Sequence, residues 1–293
     1  MTKAIRPASY WTPEENNRVH CWLCPHLCLI APGQTGRCRV RQNRDGSLYT
    51  LVYGLLSASA LDPIEKKPLR RFHPGSKILS VGSVGCNFNC SFCQNHRIAT
   101  AGPGDIPMAI TTPQELTTQA RYSRGQGNIG VAYTYNEPTV WFEFIRDTAR
   151  VVRDANMVNV MVTNGYIEPE PLTDLLELID AFNIDLKGFR DDFYRRVGGT
   201  LQPVLETIRR TRESGAHVEV TTLIIPGQND DPEEMDAQCA WLASISEDIP
   251  LHLSRFFPMH RMTDRPPTPP DTIWALKDIA RRHLRYVYTG NMP

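Results

Sequence analysis

The residues with the clearest chemical potential sit in Gly-Cys-Asn-Phe-Asn-Cys-Ser-Phe-Cys, residues 85–93, a C-x3-C-x2-C set at Cys86, Cys90 and Cys93. Thiolates are soft donors that suit iron–sulfur clusters, and an ordinary cubane takes four of them. Three thiolates on one short loop can hold three irons and leave the fourth with an open position. Open positions separate catalytic metal sites from closed structural ones, so such an iron could bind and activate a substrate. Two other readings compete: an upstream cysteine supplies the fourth ligand, or the thiols merely fill core. A tight Gly- and Asn-rich loop argues against the second.

The upstream cysteines form a group of their own, Cys21-x2-Cys24-x3-Cys28-x9-Cys38, flanked by His20 and His26. Four cysteines with an initial x2 spacing suit either structural zinc or a second iron–sulfur cluster, with unbound thiols as the alternative. A metal could account for the folding of so short a unit. Cys239 stands alone beside Trp241 on a predicted helix and is assigned to packing.

Positioning these groups requires regular elements, and they begin at Lys77. Apolar or β-branched runs at 77–84, 129–135, 157–162, 182–186, 217–225 and 251–257 alternate with longer stretches of helical period. Helix starts are marked by Thr112-Pro113, by Pro138 and by Asp231-Pro232. Six strand–helix units in succession predict a parallel α/β sheet. Six are too few for a closed eight-unit barrel, so the expected fold is a partial six-unit (βα)6 barrel over residues 77–293, a doubly wound sheet being the alternative. Residues 1–76 are turn-rich and predict a small cysteine-rich N-terminal extension with a candidate metal site.

In such a barrel, chemistry gathers at the C-terminal ends of the strands. The cysteine loop follows the first predicted strand, Asn136-Glu137 the second, Thr163-Asn164 the third, Asp185 and Lys187 the fourth, Pro226-Gly227 the fifth and Phe257-Pro258 the sixth. All six are expected at one mouth.

Composition narrows the function classes. Across 293 residues, 32 Lys+Arg balance 32 Asp+Glu, so no global basic field favours nucleic acid or an anionic membrane. Eight cysteines are too sparse for a secreted disulfide scaffold. The N-terminal residues carry no apolar run of the signal-peptide kind, and no segment approaches the roughly 18 apolar residues of a membrane helix. A cytoplasmic location, with metal chemistry rather than disulfides, is expected.

With Phe92 preceding Cys93, the loop resembles the C-x3-C-x-aromatic-C signature of radical S-adenosylmethionine (SAM) enzymes. Tyr133–Thr139, Thr163–Tyr166, Asn183–Lys187, Ile225–Asp230, Ser254–Pro258 and Tyr286–Asn291 are similar to the branch related to pyruvate formate-lyase activating enzymes. Together with His-Cys-x-Leu-Cys-Pro-His at 20–26, they resemble the AmmeMemoRadiSam system radical SAM enzyme over nearly the whole chain. The resemblance implies a partial six-unit barrel and a 4Fe-4S cluster on Cys86, Cys90 and Cys93, whose open iron chelates SAM. It further implies reductive cleavage to a 5'-deoxyadenosyl radical that abstracts hydrogen from a substrate, a low-potential electron donor of flavodoxin or ferredoxin type, and partner proteins of that system.

By the same resemblance Glu137 accepts a hydrogen bond from the SAM amino group; a carboxylate beside Pro138 that only favours a helix start is the alternative. Asp185 and Lys187, at i and i+2, could hold the ribose hydroxyls and carboxylate of SAM or form a plain ion pair. Asn164 could contact SAM or belong to a turn with Gly165, and Phe92 could pack on adenine or fill core. Within the radical SAM reading, activation of a glycyl-radical enzyme is the alternative to a substrate of that system; beside it stand a non-catalytic iron–sulfur carrier or sensor, and radical RNA modification, which the zero net charge disfavours.

Overall fold

A computed structural model describes residues 4–292. Six short strands, β1 (Arg6–Pro7), β2 (Trp11–Glu14), β3 (Arg18–Cys21), β4 (Cys28–Ile30), β5 (Arg41–Arg44) and β6 (Ser47–Thr50), form two antiparallel sheets in the orders β1-β6-β5 and β2-β3-β4. The N-terminal segment is therefore more regular than its turn-rich composition suggests. Its strands are too short for alternation to register as a pattern.

Next come β7 (Leu55–Leu56), β8 (Ala58–Pro63), β9 (Lys77–Gly82), β10 (Ala109–Ile110), β11 (Asn128–Tyr133), β12 (Val158–Thr163), β13 (Ala181–Asp185), β14 (His217–Ile224), β15 (Leu251–Arg255) and β16 (Val287–Gly290). Strands β9, β11, β12, β13, β14 and β15 are the six expected ones, and each lies parallel to the next. The sheet has two further members: β16 runs parallel to β15 at one edge, and β8 runs antiparallel to β9 at the other. The expected division at residue 76 thus falls inside the sheet, between β8 and β9. An edge strand such as Ala-Ser-Ala-Leu-Asp-Pro, with a terminal proline and polar residues, carries little strand signal.

The helices are α1 (His96–Ala99), α2 (Pro113–Tyr122), α3 (Phe142–Asp154), α4 (Pro169–Leu176), α5 (Asp191–Val197), α6 (Gln202–Glu213), α7 (Pro232–Ile245) and α8 (Pro270–Ala280). Helix α2 opens on a capping box: the Thr112 side chain accepts the Glu115 N–H while the Glu115 carboxylate accepts the Thr112 N–H. At α7 the Asp231 carboxylate accepts the N–H groups of Glu233 and Glu234, both at 2.9 Å. The Pro138 signal starts a 3-10 turn, Pro138–Trp141, that leads into α3.

The N-terminal sheets are fastened to α3. Arg41 on β5 and Glu143 on α3, both buried, form an ion pair at 2.9 Å, and the Trp141 indole N–H donates to the Val52 carbonyl at 2.7 Å. One continuous apolar core joins Leu23, Ile30 and Val40 to Val131, Phe142, Ile184 and Leu253. No helix among the described residues is long and apolar enough to cross a membrane.

Candidate active site

The cysteine loop leaves β9 through Ser83 and is held by one side chain from the neighbouring strand end. Asn136 accepts the Ser83 N–H at 2.9 Å through Oδ1 and donates from Nδ2 to the carbonyls of Val84 and Gly85, at 3.1 and 3.0 Å. Further along, Asn87 donates to the Tyr166 carbonyl and accepts from Asn164 Nδ2, each at 2.8 Å, and the Asn89 N–H donates to the Val197 carbonyl. The two ends of the loop are therefore tied to β11, β12 and α5. Helix α5, too short to show a clear period, also seats Phe193 and Tyr194 beneath the site, with the Tyr194 hydroxyl accepting the Lys187 N–H at 3.2 Å.

Cys86, Cys90 and Cys93 open on one cavity of about 270 Å³ at the C-terminal ends of the strands. Glu137, Asn164, Asp185, Lys187 and Phe92 line the same cavity, so these five and the three cysteines lie at one place. The expected convergence of all strand-end loops needs correction for the last two. Pro226-Gly227 and Phe257-Pro258 are not among the lining residues; Thr221 and Leu223 of β14, Ser254 of β15 and Asn291 take their place. On β14 and β15 the side chains that line the cavity belong to the strands themselves, and a motif in the following loop does not show this. Asn87, the hub of the loop, was equally hidden as a spacer between two cysteines.

Glu137 is buried and hydrogen-bonded through both oxygens: Oε1 accepts the Thr139 N–H at 2.9 Å and the Thr163 hydroxyl at 2.7 Å, and Oε2 accepts the Asn164 N–H at 2.8 Å. Its carboxylate thus caps the turn at Pro138 while binding two strand ends together. Burial raises its pKa, and these hydrogen bonds pull it back. Asp185 and Lys187 form an ion pair, at 2.9 Å, on the cavity wall. Burial works against the Lys187 charge, but Asp185 and then the Cys90 thiol outweigh it and raise its pKa. Phe92 is buried with its ring 6.1 Å from Phe193, and Asn164 Oδ1 accepts the Tyr166 N–H at 2.9 Å, making the turn that Gly165 suggested.

The donor set suits a cluster. All three thiols are free, the Phe88 N–H donates to Cys86 Sγ at 3.3 Å, and Lys187 supplies a fixed cation. Burial, followed by the Glu137 charge, holds the Cys86 thiol well above its usual pKa; burial lifts Cys90 to about 11 and Cys93 upward, with Lys187 opposing both. Loading a metal here would release protons.

The other candidates separate cleanly. Cys21, Cys24, Cys28 and Cys38 surround one small second cavity together with His26, whereas His20 does not line it. Outside both cavities, His252 lies 2.6 Å from Glu219, and His260 stacks on His96 with ring centroids 4.4 Å apart. Cys239 is buried against Met235, Sγ to Sδ 3.6 Å, as packing requires.

Known proteins share this organisation. The profile of the Radical SAM superfamily matches residues 80–239, more than half of the chain. The uncharacterized protein MJ0808 of Methanocaldococcus jannaschii is 43% identical over 99% of this chain and 86% of its own. The pyruvate formate-lyase 1-activating enzyme of Escherichia coli K12 is 26% identical over 51% of this chain, which spans 61% of that enzyme. The crystal structure of Streptococcus suis SuiB bound to S-adenosylmethionine superposes with a TM-score of 0.58 over 73% of this chain and 52% of that one, at 13% identity, a likeness of fold.

Proposed function

The chain belongs to the radical SAM superfamily, and on that premise we propose that it binds a 4Fe-4S cluster on Cys86, Cys90 and Cys93 and SAM in the adjoining cavity. When bound, these supply reductive cleavage of the sulfonium to a 5'-deoxyadenosyl radical, which abstracts hydrogen from a substrate. The observation that carries this reading is that three free thiols and a charged Lys187–Asp185 pair line one cavity. Lys187 offers a cation to a ligand carboxylate, and Asp185 offers acceptors to hydroxyls. Asn164 is a polar contact in the same wall, and Phe92 gives an apolar edge for a base. Glu137 Oε2, with one protein donor, keeps a lone pair for an amine. Exclusion of water and fixed orientation are what the protein adds to the cofactor's chemistry.

The N-terminal His-Cys-x-Leu-Cys-Pro-His motif supports a place in the AmmeMemoRadiSam system, with its partner proteins and a flavodoxin- or ferredoxin-type donor. The likeness to a pyruvate formate-lyase activating enzyme favours a second reading, formation of a glycyl radical on a partner enzyme. The test of the chemistry is direct. The reduced, anaerobically reconstituted protein is incubated with SAM, and 5'-deoxyadenosine is expected. No product above a Cys93→Ala control would leave the non-catalytic carrier reading in its place.

A further inference from the structure

Cys21, Cys24, Cys28 and Cys38 come from β3, the loop after it, β4 and the segment before β5, yet they line one enclosed cavity of about 20 Å³. All four are free thiols. Gly36 keeps the cavity open, since a Cβ there would lie 3.3 Å from Ile30 Cδ1 and 3.7 Å from Cys28 Sγ. Arg41 also lines it, is 2% exposed, and has an Nε with no hydrogen-bond partner. An unpaired N–H on a buried cation is costly unless an acceptor faces it, and metal-bound thiolate sulfur is such an acceptor.

From this we infer that the four cysteines form a second metal centre with four thiolate ligands, separate from the site in the barrel and independent of the function proposed for it. Two observations bear on the metal. The cavity has room for about one water-sized body, which suits a single zinc ion. Against that, no three His, Cys, Asp or Glu side chains among the described residues are drawn around one point, as one ion would require, and more widely spaced thiols suit a cluster. The shared chemistry is a four-thiolate centre, and the experiment separates the two metals.

Such a centre would brace the cysteine loop of the barrel. His26 Nε2 lies 2.6 Å from the Asn87 carbonyl, and a Cβ on Gly85 would meet the Cys38 carbonyl at 2.6 Å, so the N-terminal unit touches the loop on both sides of Cys86.

The full-length Cys86→Ala/Cys90→Ala/Cys93→Ala variant removes the barrel thiols and isolates the question. Purified without oxygen and supplied either with zinc or with iron and sulfide, it is expected to retain roughly one zinc per chain, or iron and sulfide with thiolate-to-iron absorbance. Retention of neither metal after desalting overturns the proposal. Adding Cys24→Ser/Cys28→Ser is expected to abolish retention, and unchanged metal content overturns it as well. If the added changes prevent folding, the first measurement decides.

Discussion

Glu137 and Asn164 are joined across two strand ends, the Glu137 carboxylate accepting the Asn164 backbone N–H at 2.8 Å. The same carboxylate accepts from Thr139 and Thr163, so three donors aim at two oxygens. In Glu137→Gln one of those oxygens becomes an NH2 group facing a donor. A buried donor left unpaired costs about 1–3 kcal/mol. The expected outcome is a loss of that size in urea denaturation together with weaker SAM binding to the cluster-loaded protein. Stability within about 0.5 kcal/mol of wild type would show that Glu137 does not hold the strand ends together.

Gly85 has φ +88°, and a Cβ there would lie 2.6 Å from the Cys38 carbonyl and 2.8 Å from Val40 Cγ1. Left-handed backbone costs an L-residue about 1–2 kcal/mol, and backbone cannot give way as a side-chain tip can. Gly85→Ala is expected to lose about 2 kcal/mol or more and to bind less iron after reconstitution. A urea midpoint and an iron assay check it; full iron content would mean the loop tolerates displacement.

The parts of this molecule that could be read without coordinates are those where a local signal repeats the global answer. The six strands β9 and β11 to β15 combine apolar runs with helix starts at Thr112, Pro138 and Asp231, so period and capping agree. Cys86, Cys90 and Cys93 announce themselves by type and spacing. Edge strand β8 and helix α5 were not legible, because their short polar sequences are fixed by neighbours rather than by propensity. Asn87 and Asn136 position the cysteine loop through amide hydrogen bonds, and an asparagine in a loop looks the same whether or not it does so. Thr221 and Ser254 line the cavity from within β14 and β15, and a strand residue carries no mark of its own that separates a cavity-lining position from a packing one.

Lys187 stands 2.9 Å from Asp185 on the cavity wall, where its charge opposes the upward push of burial on the Cys90 and Cys93 thiols. Replacing it by Met keeps its length and removes the charge. If it receives a ligand carboxylate, Lys187→Met lowers SAM affinity on the order of tenfold, about 1.4 kcal/mol. Anaerobic titration with SAM measures this; unchanged affinity assigns the pair to structure alone.

Glu219 gives the fold a dependence on acid. On β14 its carboxylate accepts the N–H groups of Arg70 and Arg71, at 3.0 and 2.7 Å, and lies 2.9 Å from His217 Nε2 and 2.6 Å from His252 Nε2. Burial would raise its pKa, but these partners outweigh burial and lower it from 4.5 to about 2. A carboxylate depressed in the folded state stabilises fully above its unfolded pKa and loses that contribution as pH falls through the folded one. The window is therefore from about 4.5 down to about 2, and the amount at stake is about 3 kcal/mol. Wild-type stability is expected to fall between pH 5 and pH 3 more steeply than that of Glu219→Gln, which carries no titrating group there. Urea denaturation at the two pH values compares the slopes. Parallel slopes would mean that the segment carrying Arg70 and Arg71 is held to β14 by packing, with the charge on Glu219 contributing nothing that protonation can remove.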